Sequence, residues 1–188
     1  MRRINNKAFT LIELAVVILV IGILAAIVLR NIGSTAIQAR DTKRVGDLKN
    51  VSNYLAQYLS KNGYFPTTTS WSTLNSNLAA SGVTTGGGVG LPVSPSGRNG
   101  YYYFACTDQG NVAPGAAGGG IANHFVLMAT LEEASTTNPQ IYQVSSQYPS
   151  AWVCNGAGQT TVTGSNGGSV STFAPATCAT DNNICVSN

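Results

Sequence analysis

From Phe9 to Leu29 the chain reads FTLIELAVVILVIGILAAIVL, and Glu13 is the only ionisable side chain in the run. As a helix this stretch is about 31 Å long, at about 1.5 Å per residue, close to the hydrocarbon thickness of a bilayer. Arg2, Arg3 and Lys7 precede it and Arg30 follows. Positive charge favours the cytoplasmic side, so the carboxy-terminal part is expected outside. Glu13 needs a reason. A carboxylate in an apolar span costs about 2.5–3.5 kcal/mol, so it either snorkels to the headgroups or is paired and functional.

The neighbours of Glu13 supply the second reading. Lys7-Ala8-Phe9-Thr10-Leu11-Ile12-Glu13-Leu14 resembles the processing site of type IV prepilins and type II secretion pseudopilins. In that family a short basic leader is cut off before a Phe, the new amine is N-methylated, and a Glu stands at the fifth mature position. The resemblance implies cleavage by prepilin peptidase between Ala8 and Phe9, N-methylation of Phe9, and an assembly role for Glu13. Ala8 stands where the family usually has Gly. In a filament, the amine of Phe9 would pair with Glu13 of a neighbouring subunit. A lone buried charge is expensive, so such pairing enforces axial register. Residues 1–8 are then a leader, 9–29 the membrane and filament-core helix, 30–62 an amphipathic helix and 63–188 a globular head.

Charge narrows the partners. The precursor has Lys+Arg 10 against Asp+Glu 7. Beyond Asn62 only Arg98 is positive, against Asp108, Glu132, Glu133 and Asp181. Nucleic-acid binding rests on cationic contacts to phosphate, so no nucleic-acid partner is expected. The cysteines Cys106, Cys154, Cys178 and Cys185 all follow the apolar run, without CxxC spacing and with His124 the sole histidine. A zinc site is poorly supported. An even count in an exported segment favours two disulfides, with three connectivities possible. Cys106–Cys154 joining two strands and Cys178–Cys185 closing a short loop are the expected pairs; buried free thiols are the alternative.

After Leu29 the helical pattern continues. Val45, Leu48, Val51, Ser52, Leu55 and Leu59 follow 3- and 4-residue steps and share a face, while Arg40, Asp41, Lys43, Arg44, Asp47 and Lys49 crowd the start of this region. Asn62-Gly63 before Tyr64-Phe65-Pro66 is a strong stop. The spacing predicts one helix from about Phe9 to about Ser60. The phrase from Tyr58 to Thr68 is also similar to the helix end of pseudopilin-like and other bacterial pilins. Many type IV pilins carry a Pro in the outer part of the apolar helix; here Arg30 takes that place. Any melting during assembly is expected around Gly33.

Trp71, Leu74 and Leu78 predict a short helix on the core. Gly86-Gly87-Gly88 lacks the Lys-Ser/Thr ending of a phosphate loop and reads as a connection, as does Gly118-Gly119-Gly120. Tyr101–Thr107, Ile121–Glu132, Gln140–Ser145 and Ala151–Asn155 read as strands of an antiparallel sheet, paired in sequential hairpins. Phe125, Leu127, Ala129 and Leu131 alternate with Val126, Met128 and Thr130, so one set should face the helix. The tail from Gln159 is poor in large apolar residues and should depend on its disulfide.

No catalytic set emerges, so no enzyme activity is expected. His124 lacks a Ser or Cys partner by sequence, and Glu132-Glu133 would point to opposite faces of a strand. Pseudopilins of the major class bind calcium in a terminal loop. Asp181, Asn182 and Asn183 form an oxygen-rich loop but offer one carboxylate where calcium takes six to eight oxygens, so no cofactor is expected, with calcium at the Asp181 region the minor alternative.

The fold expectation is α+β and type IV pilin-like: a long helix packed on an antiparallel head with a disulfide-bonded terminal region. The functional expectation is a subunit of a surface filament for attachment or motility. Its precursor would sit once through the cytoplasmic membrane and be assembled by an inner-membrane platform into a homopolymer of identical or related subunits. The alternatives are a pseudopilin of a type II secretion system and a membrane-tethered binding module that forms no filament.

Overall fold

A computed structural model describes residues 9–84, 90–95, 100–108, 112–115, 120–132, 151–155, 157–172, 178 and 183–188. They form two compact units that divide between Gln38 and Ala39. One helix, α1 (Leu11–Asn62), contributes to both. Its backbone is helical through Gly33 in the single chain; the expectation of melting concerns the assembled filament.

The stop signal works as its residues suggest. Gly63 takes φ +79°, a left-handed conformation that disfavours a side chain, and donates its N–H to the Leu59 carbonyl at 2.7 Å. A second helix, α2 (Trp71–Ala80), buries Trp71, Leu74 and Leu78. Lys61, at the end of α1, donates to the carbonyls of Ser81 and Gly82 just past α2, at 3.0 and 3.2 Å. A cation there complements the negative end of the helix.

The strands are β1 (Tyr101–Thr107), β2 (His124–Thr130), β3 (Val153–Cys154), β4 (Ala157–Thr163), β5 (Ser169–Thr172) and β6 (Asn183–Ser187). Four form an antiparallel sheet in the order β3-β1-β2-β6, and β4-β5 form a separate ribbon. The expected α+β, pilin-like architecture is what the chain adopts.

Several details differ from expectation. The strand at Ile121–Glu132 shortens to His124–Thr130, because Glu132 turns to the arginines of α1 rather than continuing the ladder. The strand at Ala151–Asn155 shortens to Val153–Cys154. Pairing is not sequential: β3 returns beside β1, with Cys154 opposite Cys106, and β6 lines up along β2. Asn155 helps hold that return, its Oδ1 accepting from the Ala105 N–H at 3.0 Å and its Nδ2 donating to the Thr68 carbonyl at 2.9 Å. The tail carries three strands that low hydropathy concealed. The strand expected at Gln140–Ser145 lies outside the described residues.

The sheet separates two apolar clusters. Phe125, Leu127, Ala129 and Leu131 face α1, where Leu48, Val51 and Leu55 are fully buried and Tyr58 nearly so. Complete burial of each such side chain is worth about 1.5–3 kcal/mol. On the opposite face Phe104, Val126, Met128 and Val162 pack with all four cysteines. The β4-β5 ribbon is tied to the segment before α2 by a bond from Thr163 N–H to the Thr69 carbonyl (2.7 Å) and to the start of β1 by one from Ser165 N–H to the Tyr101 carbonyl (3.0 Å). Gly164 is required there, since a Cβ would fall 2.7 Å from the Tyr102 ring and 2.9 Å from the Tyr101 carbonyl oxygen.

Candidate assembly and processing site

The apolar run forms the first turns of α1 with its large side chains in the open. Phe9 is 86 % exposed, and every described side chain from Leu11 to Leu29 is exposed. Leu11–Leu29 has a mean hydropathy of 3.1 and is the one helical stretch, among the described residues, long and apolar enough to cross a membrane. Apolar residues cover its whole circumference rather than one stripe, the pattern of a helix meant for lipid or for other helices.

Glu13 sits in the first turn of this helix, and the chain itself engages its carboxylate. Thr10 donates to Oε2 from its backbone N–H at 2.9 Å and from its hydroxyl at 2.8 Å, while the Glu13 N–H donates to the Thr10 hydroxyl at 3.4 Å. This is a capping box: Thr before the first turn and Glu three residues on satisfy donors that a helix start leaves unpaired. The Thr-x-x-Glu spacing was in the sequence and could have been read there. It gives Glu13 a local role beside its expected intersubunit one. Phe9 and Thr10 precede the helix, so the chain is not yet helical on the carboxyl side of the expected Ala8–Phe9 cut. Ala8 lies outside the described residues.

The cysteines form Cys106–Cys154, between paired strands with Cα atoms 4.0 Å apart, and Cys178–Cys185, with Cα atoms 5.6 Å apart. Of the oxygen-rich stretch between the last two, Asn183 is described. Its Oδ1 accepts the Thr130 hydroxyl at 2.9 Å. Asp181 and Asn182 lie outside the described residues, as does Glu133.

One group of charges was not anticipated. Asp41 and Arg44 occupy the same stripe of α1 as Leu48, Val51, Leu55 and Tyr58, and Arg44 is fully buried. Its guanidinium donates to Asp41, to Glu132 Oε1 at 2.7 Å and to the Ser94 hydroxyl at 3.4 Å. Arg40 adds a two-pronged contact to Glu132, and the Glu132 N–H donates to both Asp41 oxygens at 3.1 and 3.2 Å. Hydrogen bonds from Arg40 and then Arg44 hold the Glu132 carboxyl down at about 2. The signal was the 3-4-3-4-3 spacing from Asp41 to Tyr58, which continues the apolar stripe into charged residues.

Residues 3–29 match the family model for the prokaryotic N-terminal methylation motif. The chain is 40% identical to the type II secretion system core protein G of Pseudomonas aeruginosa over 68 residues, 36% of this chain and 48% of that protein. It is 39% identical to the Escherichia coli core protein G over 64 residues, 34% of this chain and 44% of that protein. It therefore spans about half the length of these relatives. With the core protein G of Vibrio cholerae it shares 33% identity over 113 residues, 57% of this chain and 77% of that protein. No solved structure matches. The methylation motif at the apolar helix and this last, longer match place the chain in the type IV pilin and pseudopilin family.

Proposed function

We propose that the chain is a pseudopilin of a type II secretion system. It is cut between Ala8 and Phe9 by prepilin peptidase, methylated at Phe9, held in the cytoplasmic membrane by its apolar helix, and assembled with related subunits into a helical filament. The similarity to three core G proteins carries the reading and moves weight away from the surface pilus first expected. The exposed apolar segment is consistent with both stages. In lipid it gains little by meeting another apolar helix, so association draws on packing and polar contacts. Glu13 is the one charged side chain available there to fix register.

A surface filament for attachment or motility is the second reading. The head's near-lack of positive charge and its two disulfides favour it, since both suit an exposed, exported coat. The protein has a structural role in both readings.

Mass spectrometry of the mature amino terminus, run separately on sheared filaments and on membranes, tests the processing. N-methylated Phe9 is expected. An intact Met1 terminus would favour the tethered module and overturn both filament readings. Deleting the chain should then abolish release of exported proteins while leaving surface attachment intact; the reverse pattern would select the pilus.

A further inference from the structure

At one end of the four-stranded sheet, four elements converge on His124. The ring stacks on Trp152, with centroids 3.9 Å apart and planes 13° from parallel. Its Nε2 lies 3.5 Å from Asp108 Oδ2, and its Nδ1 lies 3.3 Å from Asn188 Nδ2. Asn188 follows β6 and extends that strand's pairing along β2 with its side chain. Its Oδ1 accepts the Phe125 N–H at 3.0 Å, and its Nδ2 donates to the Asn123 carbonyl at 3.4 Å.

These partners fix which way the Asn188 amide points. A backbone N–H can only donate and a carbonyl can only accept, so the amide oxygen must face Phe125 and the NH2 must face Asn123 and His124. Nδ1 is therefore an acceptor. The proton of the neutral ring sits on Nε2, directed at Asp108. The Asn123 side chain, and then the His124 ring, hold the Asp108 carboxyl below the ordinary carboxylate range, so it stays ionised.

We propose that His124 is a proton-operated latch on the end of β6: the neutral ring accepts from Asn188 and pins it, and the protonated ring releases it. Protonation puts an N–H on Nδ1 facing the NH2 of Asn188, donor against donor. Turning the amide over would set its NH2 against the Phe125 N–H. Turning the ring over would present a C–H to Asn188 and withdraw Nε2 from Asp108. The cation instead keeps its place beside the Asp108 carboxylate and on the Trp152 face. Of the side chains against the ring, Asp108 is charged, and those of Trp152 and Asn188 are neutral. Release is confined to the strand's end, because Ile184 is fully buried and Cys185 is bonded to Cys178. What it frees is the Phe125 N–H on β2.

Residue-resolved hydrogen exchange by NMR on the full mature chain in micelles, between about pH 5 and pH 8 where imidazole changes charge, tests this. The protection factor of the Phe125 amide should fall about tenfold on the acid side, with that of Leu127 unchanged. In His124→Gln the fall should vanish. In Asn188→Ala protection of Phe125 should be low at both ends of the range. Constant Phe125 protection in the native chain, or a fall that persists in His124→Gln, would overturn the latch.

Discussion

Between Leu11 and Leu29, α1 has a mean hydropathy of 3.1 and none of it is buried, whereas between Asp41 and Tyr58 the buried set includes a carboxylate and a guanidinium. Two stretches of one helix thus relate hydropathy to burial in opposite senses. The first is apolar all round and exposed along its whole length among the described residues. The second has a stripe at 3- and 4-residue steps, and whatever occupies the stripe is carried against the sheet. At Leu48, Val51 and Leu55 that means apolar packing. At Arg44 it means a charge that must be met in place, by Asp41 and Glu132. Position in the stripe, more than side-chain chemistry, decides what this helix buries.

The largest expected break in the comparison is Arg44→Leu. It leaves the Asp41 carboxylate, 2 % exposed, without its buried counter-charge, and should destabilise the head by about 3–5 kcal/mol. Urea unfolding of the mature protein in micelles reads this directly. Glu13→Leu in the same assay should move the stability of the head by less than about 0.5 kcal/mol, since its capping box belongs to the other compact unit, while cutting filament yield. Equal losses from the two changes would erase the contrast between the stretches. Next in size is Leu55→Ala, at about 3 kcal/mol for a fully buried leucine, set against Leu19→Ala, whose site is 63 % exposed and should cost the head almost nothing. If Leu19→Ala destabilised the head as much, the exposed stretch would have a partner within its own unfolding unit.

Much of this was legible beforehand, for reasons that differ by element. The end of α1 could be read because Gly63 and Pro66 act locally, through the conformations they permit. Tyr101–Thr107 could be read because β1 is central in the sheet, apolar on both faces and bounded by clear turns. The set of β2 side chains facing α1 followed from alternation once the helix stripe was known. The tail was not legible. β4 and β5 are built from Thr, Ser and Gly, with Val162 and Val170 the apolar residues that pack, and their position depends on Tyr101 and Thr69, remote in sequence. β6 is short and finds its place by pairing with β2 and by the Cys178–Cys185 bond. At the assembly site, sequence marked Phe9 and Glu13 but not the hydrogen bonds from Thr10, although the spacing announced them. Arg44 stands in a crowd of charges of both signs, and because charge is ordinarily a sign of exposure its burial was not legible there.

The smallest effect concerns pH and separates the two carboxylates that meet Arg44. Glu132 is lowered from 4.5 to about 2 by Arg40 and Arg44. A carboxylate whose folded value is depressed binds fewer protons than in the unfolded chain, so its stabilisation is complete above the unfolded value and is lost as pH falls through the folded one. The head should therefore lose stability between about pH 4.5 and about pH 2. The loss is modest because Glu132, at 21 % exposure, is partly screened by water. Thermal unfolding across that window, compared with Glu132→Gln, isolates the contribution: the variant should start less stable at neutral pH and show a shallower acid slope. Adding salt sharpens the assignment. Arg40, the more exposed partner, should lose its share of the attraction first, while the buried Arg44 contact persists. If salt removed the whole acid dependence, the ion pair would be acting from the surface, and the inverted burial of the second stretch would rest on Asp41 alone.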